Sequence, residues 1–150
     1  RALSEDLQPK YLNPGVENGV KSSNILYPFD FDADHLWICE GPTDAISLKL
    51  NGLNATCTIG STISNVQMQA LNEFEGELIL TYDSDAAGQR GIAKFDHLRK
   101  KYMLPTFSIC TAPPQYKDWN EAHIGKEDLL AWVMKNKYEY TDENKLLSLL

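Results

Sequence analysis

From residue 36 onward the apolar positions alternate between two patterns. Short continuous apolar runs are followed by longer segments in which apolar residues recur every three or four positions. Residues 36–39 (Leu-Trp-Ile-Cys) form a run long enough for a buried strand, broken by Gly41-Pro42. Residues 43–50 read as a helix stopped by Asn51-Gly52. Residues 55–58 make a second strand, ended at Ile59-Gly60. Residues 65–74 read as a helix with Val66, Met68, Leu71 and Phe74 apolar. Residues 77–82, rich in β-formers, are the clearest strand, and residues 85–102 the clearest helix, with Ala87, Phe95, Leu98 and Tyr102 at helical spacing. Residues 106–110 are a fourth strand, closed by Pro113-Pro114. Residues 120–123, 126–137 and 142–149 read as helices. Residues 1–35 are irregular, with breakers at Pro9, Asn13-Pro14-Gly15, Asn18-Gly19 and Pro28.

Strands that alternate with helices argue for an α/β fold: a Rossmann-like parallel sheet of about four strands flanked by helices. Ligands of such sheets bind outside the carboxyl ends of the strands. The residues to read for chemistry are therefore those after Cys39, Thr58, Tyr82 and Cys110.

Length, composition and charge narrow the reading. The 150 residues suit one ordinary domain, and 43% hydrophobic content is enough for a real core. No apolar run approaches the roughly 20 residues of a membrane span, so a cytoplasmic protein with no membrane partner is expected. The chain begins at Arg1 rather than Met, which reads as a piece of a longer protein. Cys39, Cys57 and Cys110 lie far apart in apolar surroundings, as buried thiols do in a reducing compartment. A formal charge of −7 argues against a generally basic nucleic-acid surface unless bound cations cancel some of the acids. Between residues 86 and 104 the balance reverses, with Arg90, Lys94, Arg99, Lys100 and Lys101 against Asp96 alone. That helix is either a solvated face or the border of a nucleic-acid path.

The acids fall where the fold would use them. Glu40-Gly41-Pro42-Thr43-Asp44 follows the first strand, Asp83-Ser84-Asp85-Ala86-Ala87-Gly88 the third, and Lys117-Asp118-Trp119-Asn120-Glu121 the fourth. Two carboxylates about 4 Å apart repel by roughly 4 kcal/mol at an effective dielectric near 20. Such a group either raises its pKa values or recruits a cation. Oxygen-only ligands suit Mg²⁺ or Mn²⁺. Asp83 and Asp85, two apart in extended backbone, can face one ion, and Gly41 and Gly88 permit close approach of backbone or phosphate. Structural readings stay open for single residues: Asp44 as a first-turn acid, Asp85 as an N-cap, Asp118 and Glu121 as a capping box. Glu40 has the weakest such alternative. Asp30-Phe31-Asp32-Ala33-Asp34 is no calcium loop, because His35 stands where glycine is needed and Gly41 where glutamate is needed. His35, His97 and His123 lack ligand-like spacing.

Glu40-Gly41-x-x-Asp44 followed by Asp83-x-Asp85-x-Ala87-Gly88 resembles the TOPRIM signature, over about residues 36–125. That domain is shared by primases, topoisomerases, recombination mediators and small ribonucleases. Arg1, Pro9 to Asn13, Lys21 and Leu26-Tyr27 are similar to the segment preceding TOPRIM in bacterial-type DNA primases. Lys117 to His123 resembles a motif of phage primase–helicases, whereas bacterial primases more often carry aspartate where Asn120 stands. The resemblance implies residues 1–35 as the end of an upstream subdomain, 36–125 as a TOPRIM domain and 126–150 as a helical extension. It implies metal-dependent, template-directed joining of ribonucleotides into primers, with single-stranded DNA, NTPs and a replicative helicase as partners. Glu40, Asp83 and Asp85 become the core ligands of Mg²⁺ or Mn²⁺ and the catalytic acids, supported by Asp118 and Asp44. Glu40 is either a ligand or a general acid/base. Arg1, Lys10, Lys21 and Lys117 would contact nucleotide or nucleic acid. The alternatives are a nuclease or topoisomerase of the same family, or a non-catalytic scaffold. A topoisomerase needs a nucleophilic tyrosine in a separate domain, and scaffolds tend to lose the acids kept here.

Overall fold

The four strands expected from the pattern lie side by side and parallel. β1 (His35–Cys39) pairs with β2 (Ala55–Cys57) on one side and β3 (Glu77–Leu80) on the other, and β4 (Ser108–Ile109) continues beyond β3. The computed structural model describes Gly19, residues 21–28, Asp30 and residues 32–141. Arg1, Lys10 and the helix read over residues 142–149 lie outside them. A fifth strand, β5 (Tyr138–Glu139), pairs antiparallel to β4, giving the order β2-β1-β3-β4-β5. Two residues are too few to show a strand period, so β5 is invisible in the sequence. Tertiary contacts make it: the Tyr140 N–H donates to the Phe107 carbonyl (2.8 Å), and the two rings stack with centroids 4.7 Å apart.

Alternation sorts the side chains into two buried layers. Leu36 and Ile38 of β1, with Leu78 and Leu80 of β3, pack beneath α2 (Asn65–Leu71) and α3 (Ala86–Lys101), in a layer that includes Met68, Phe95 and Leu98. Trp37, Cys39 and Ile79 point the other way, toward α1 (Pro42–Leu50), α4 (Trp119–Ile124) and α5 (Leu129–Asn136), and meet Leu48, Trp119 and Val133. Both faces of the sheet are covered, which explains why its strands read as continuous apolar runs. The three cysteines are buried and free.

Polar side chains set the helix starts. Ser64 and Gln67 form a reciprocal capping box on α2, and the Gln67 amide also donates to the carbonyls of Ile25 (2.6 Å) and Thr58 (2.8 Å). Asp128 caps α5 through the Ala131 N–H, so this helix begins at Leu129 instead of Lys126. The segment before β1 is tied to the sheet edge by mutual backbone bonds between Tyr27 and Cys57. No helix among the described residues is long and apolar enough to cross a membrane.

Candidate functional site

With β1 at the centre, the chain first winds outward to β2 and then returns past β1 to β3 and β4. The winding reverses between β1 and β3, and a crevice opens there at the carboxyl ends of the strands. Glu40 stands directly after β1 and Asp83 just beyond β3, on neighbouring strands. The Asp83 N–H donates to Glu40 Oε1 at 3.3 Å. Glu40, Asp44, Asp83 and Asp118 line one cleft of about 380 Å³, together with the basic Lys117. Ile59 and Gly60 line it from the loop after β2. The strand-end rule pointed to that loop, but neither residue carries chemistry that would single it out.

Burial and crowding work against ionisation here. Burial, reinforced by the charge of Asp83 and then of Asp85 and Asp44, lifts Glu40 to about 7, against the pull of the Asp83 N–H. Burial lifts Asp44 to about 6, opposed by the Asn120 N–H and reinforced by Asp118 and Asp83. Asp83 is raised by burial, Asp85 and Asp118, and lowered by Lys117. A cation bound among them would relieve all three at once.

Several acids also have structural work. Asp85 is the N-cap of α3, its Oδ1 accepting the Ala87 and Gly88 N–H groups at 2.8 Å each. It is exposed at the rim, outside the cleft lining that includes Asp83. Asp118 caps α4 through the Glu121 N–H (2.8 Å). The Glu121 carboxylate returns to the Lys117 N–H (2.9 Å), one residue before the cap where a reciprocal box would place it. Asp44 is more than a first-turn acid, because its Oδ1 accepts the Asn120 N–H (3.1 Å) and joins α1 to α4. Lys21 is exposed before a short 3₁₀ turn (Ser22–Asn24) and does not line the cleft.

Two residues hold this geometry from behind. A Cβ on Gly88 would collide with the Asp83 carbonyl, so glycine lets α3 start against the backbone of the acid-bearing loop. The buried Trp119 donates its indole N–H to the Thr81 carbonyl (3.3 Å), tying the Lys117-Asp118 loop to the end of β3. The sequence marked Gly88 as a motif position but offered no sign of the Trp119 anchor.

The donor set fits a hard divalent cation. It is all oxygen, while the thiols are buried in the core and His123 is engaged by the Asn51 amide (2.9 Å). Among the described residues no three carboxyl, imidazole or thiol groups converge closely enough to enclose an ion. An ion in this cleft would complete its coordination with water or phosphate oxygens.

Known proteins share both the sequence and the fold. A family model described as Toprim-like matches residues 37–123. A DNA primase of Clostridium acetobutylicum is 32% identical over 103 residues, which cover 64% of this chain and 17% of that protein. A DNA primase of Thermotoga maritima is 29% identical over 151 aligned positions, covering 93% of this chain and 26% of the relative. The chain thus spans about a quarter or less of the length of these relatives. The crystal structure of a DNA primase domain from Pseudomonas aeruginosa superposes with a TM-score of 0.77 over 93% of this chain and 46% of that one, at 22% identity, a likeness of fold. The match over residues 37–123 holds both acidic strand ends and the Lys117-Asp118 loop, and on that ground the chain belongs to the Toprim-like family.

Proposed function

We propose that this chain is the catalytic part of a DNA primase, which joins ribonucleotides on a single-stranded DNA template with the help of Mg²⁺ or Mn²⁺. One observation carries the reading: Glu40 and Asp83 meet at neighbouring strand ends, where burial and mutual charge raise both above their ordinary values, as a cation site before metal binding would. The likeness to DNA primases supports it.

In this reading Glu40, Asp83 and Asp85 would hold the metal, with Asp118 and Asp44 in support. When bound, the metal supplies the positive charge that favours ionisation of a primer 3′-hydroxyl and shields the triphosphate. Lys117, already in the cleft, binds triphosphate oxygens. Glu40 serves either as ligand or as proton acceptor. Arg1, Lys10 and Lys21 bind template or nucleotide phosphates. Residues 1–35 end an upstream basic subdomain, 36–125 are the Toprim domain and 126–150 a helical extension. The protein works in the cytoplasm beside a replicative helicase.

Calorimetric titration of Mn²⁺ tests the centre, using the wild type and Asp83→Ala/Asp85→Ala, with and without NTP. Saturable binding that tightens with NTP and is lost in the double variant is the expected result. Binding indifferent to the two substitutions sinks the metal centre and favours a scaffold. Cutting of a labelled single strand in the absence of NTPs would point to a nuclease instead. The chain by itself is expected to make little or no primer.

A further inference from the structure

The exposed side of α3 begins at the acidic cleft and carries the opposite charge. Arg90, Lys94, His97 and Lys101 are all exposed and fall four, three and four residues apart, so they form one row along the helix. The other two basic residues of α3 are committed elsewhere. Arg99 Nε and Lys100 Nζ each bond the buried Asp96 at 2.9 Å, and the Arg99 guanidinium lies over the Phe107 ring, 5.7 Å from its centroid. Arg90, Lys94 and Lys101 make no ion pair among the described residues. Lys101 only approaches Asn65 Oδ1 (3.5 Å) and the Tyr102 ring. On a chain of net charge −7, the three unneutralised cations Arg90, Lys94 and Lys101 in one row are a feature apart from the general surface.

From these observations we infer that the outer face of α3 binds the phosphodiester backbone of a single nucleic-acid strand running to or from the acidic cleft. At 1.5 Å rise per residue, Arg90, Lys94 and Lys101 present three cations along one line about 16 Å long, the arrangement a chain of phosphates needs. The row starts little more than one turn from Asp85, the cap of α3, so a strand lying on it reaches the carboxylates without crossing another acid of α3. Template DNA and RNA product share this backbone chemistry. The inference rests on the primase reading for its direction, but its test does not.

Fluorescence anisotropy with labelled oligo(dT) and oligo(U) of equal length, over a range of salt, reads the contact. Arg90→Ala/Lys94→Ala/Lys101→Ala keeps good helix formers on α3 and removes three cations. It is expected to weaken binding about tenfold and to lower the slope of log K against log salt by about 2, three contacts at about 0.7 each. The oligonucleotide more affected identifies the strand as template or product. Lys49→Ala/Lys126→Ala/Lys135→Ala removes the same charge from exposed positions off α3 and is expected to bind like the wild type. Equal loss in both variants, no loss in the α3 variant, or no binding by the wild type overturns the inference. Mn²⁺ binding by the α3 variant is expected to match the wild type. Its absence from the wild type would count against the metal centre alone.

Discussion

Glu40 and Asp44 make stability depend on pH in a direction opposite to most surface carboxylates. Their folded-state values, about 7 and about 6, lie above the ordinary 4.5 and 3.8, so the folded state holds their protons to higher pH than the unfolded chain does. Their favourable contribution is complete below pH 4 and is lost as pH rises through 6 to 7. Both groups are partly exposed, and solvent screening reduces each to about 1 kcal/mol. The metal-free protein is therefore expected to melt several degrees lower at pH 8 than at pH 5. Glu40→Gln should raise Tm at pH 8 and flatten the profile, as scanning calorimetry would read. A Glu40→Gln profile as steep as the wild type would show that Glu40 is not the titrating group. Gly88 answers to sterics instead. Gly88→Ala drives a methyl group into the Asp83 carbonyl and is expected to cost about 2 kcal/mol or more, measured by urea unfolding. A neutral Gly88→Ala would mean that α3 shifts freely against the loop.

Helix ends and strand ends share the same residues, and this separates capping from ligation. Asp85→Ala should lose about 1 kcal/mol through the missing cap on α3. Asp85→Asn, an equally good cap, should keep that stability and still weaken Mn²⁺ binding. Unchanged Mn²⁺ affinity in Asp85→Asn would leave Asp85 as a cap alone. At α4, Trp119→Phe retains the ring but forfeits the bond to the Thr81 carbonyl, at a cost of about 1 kcal/mol. It is also expected to weaken NTP-linked metal binding, because the Lys117-Asp118 loop loses its tie to β3. An unaltered response to NTP would show the loop is held without it. Element types were legible because period-2 and 3.6 patterns are properties of neighbouring residues. Element ends were less so: capping by Asp128 and the pairing that makes β5 depend on where the chain returns.

For the molecule as a whole, the proposed metal centre implies that a divalent cation and the proton would compete for one set of carboxylates. Mg²⁺ at one hundred times its Kd should add about 2.7 kcal/mol, or roughly 5–10 °C in Tm, at pH 8. The gain should shrink toward pH 5, where Glu40 and Asp44 hold protons, and EDTA should abolish it. A Tm shift independent of pH would place the ion elsewhere on the protein.

The alternation of strands and helices, the parallel sheet, and the strand ends at which acids accumulate were all legible in the amino-acid order. These follow from local periodicity, and the spacing of Glu40, Asp83 and Asp85 within it carried the family resemblance. Which strands are neighbours, and therefore that Glu40 meets Asp83, came from the folded arrangement. That arrangement also decided that Asp85 turns one oxygen onto its own helix, that Asp44 bridges to Asn120, and that Trp119 anchors the third acidic loop. Apart from the local Asp85 cap, those contacts join residues far apart in the chain, and the hydrogen-bond partner and burial of a carboxylate are set by what the rest of the fold brings to it.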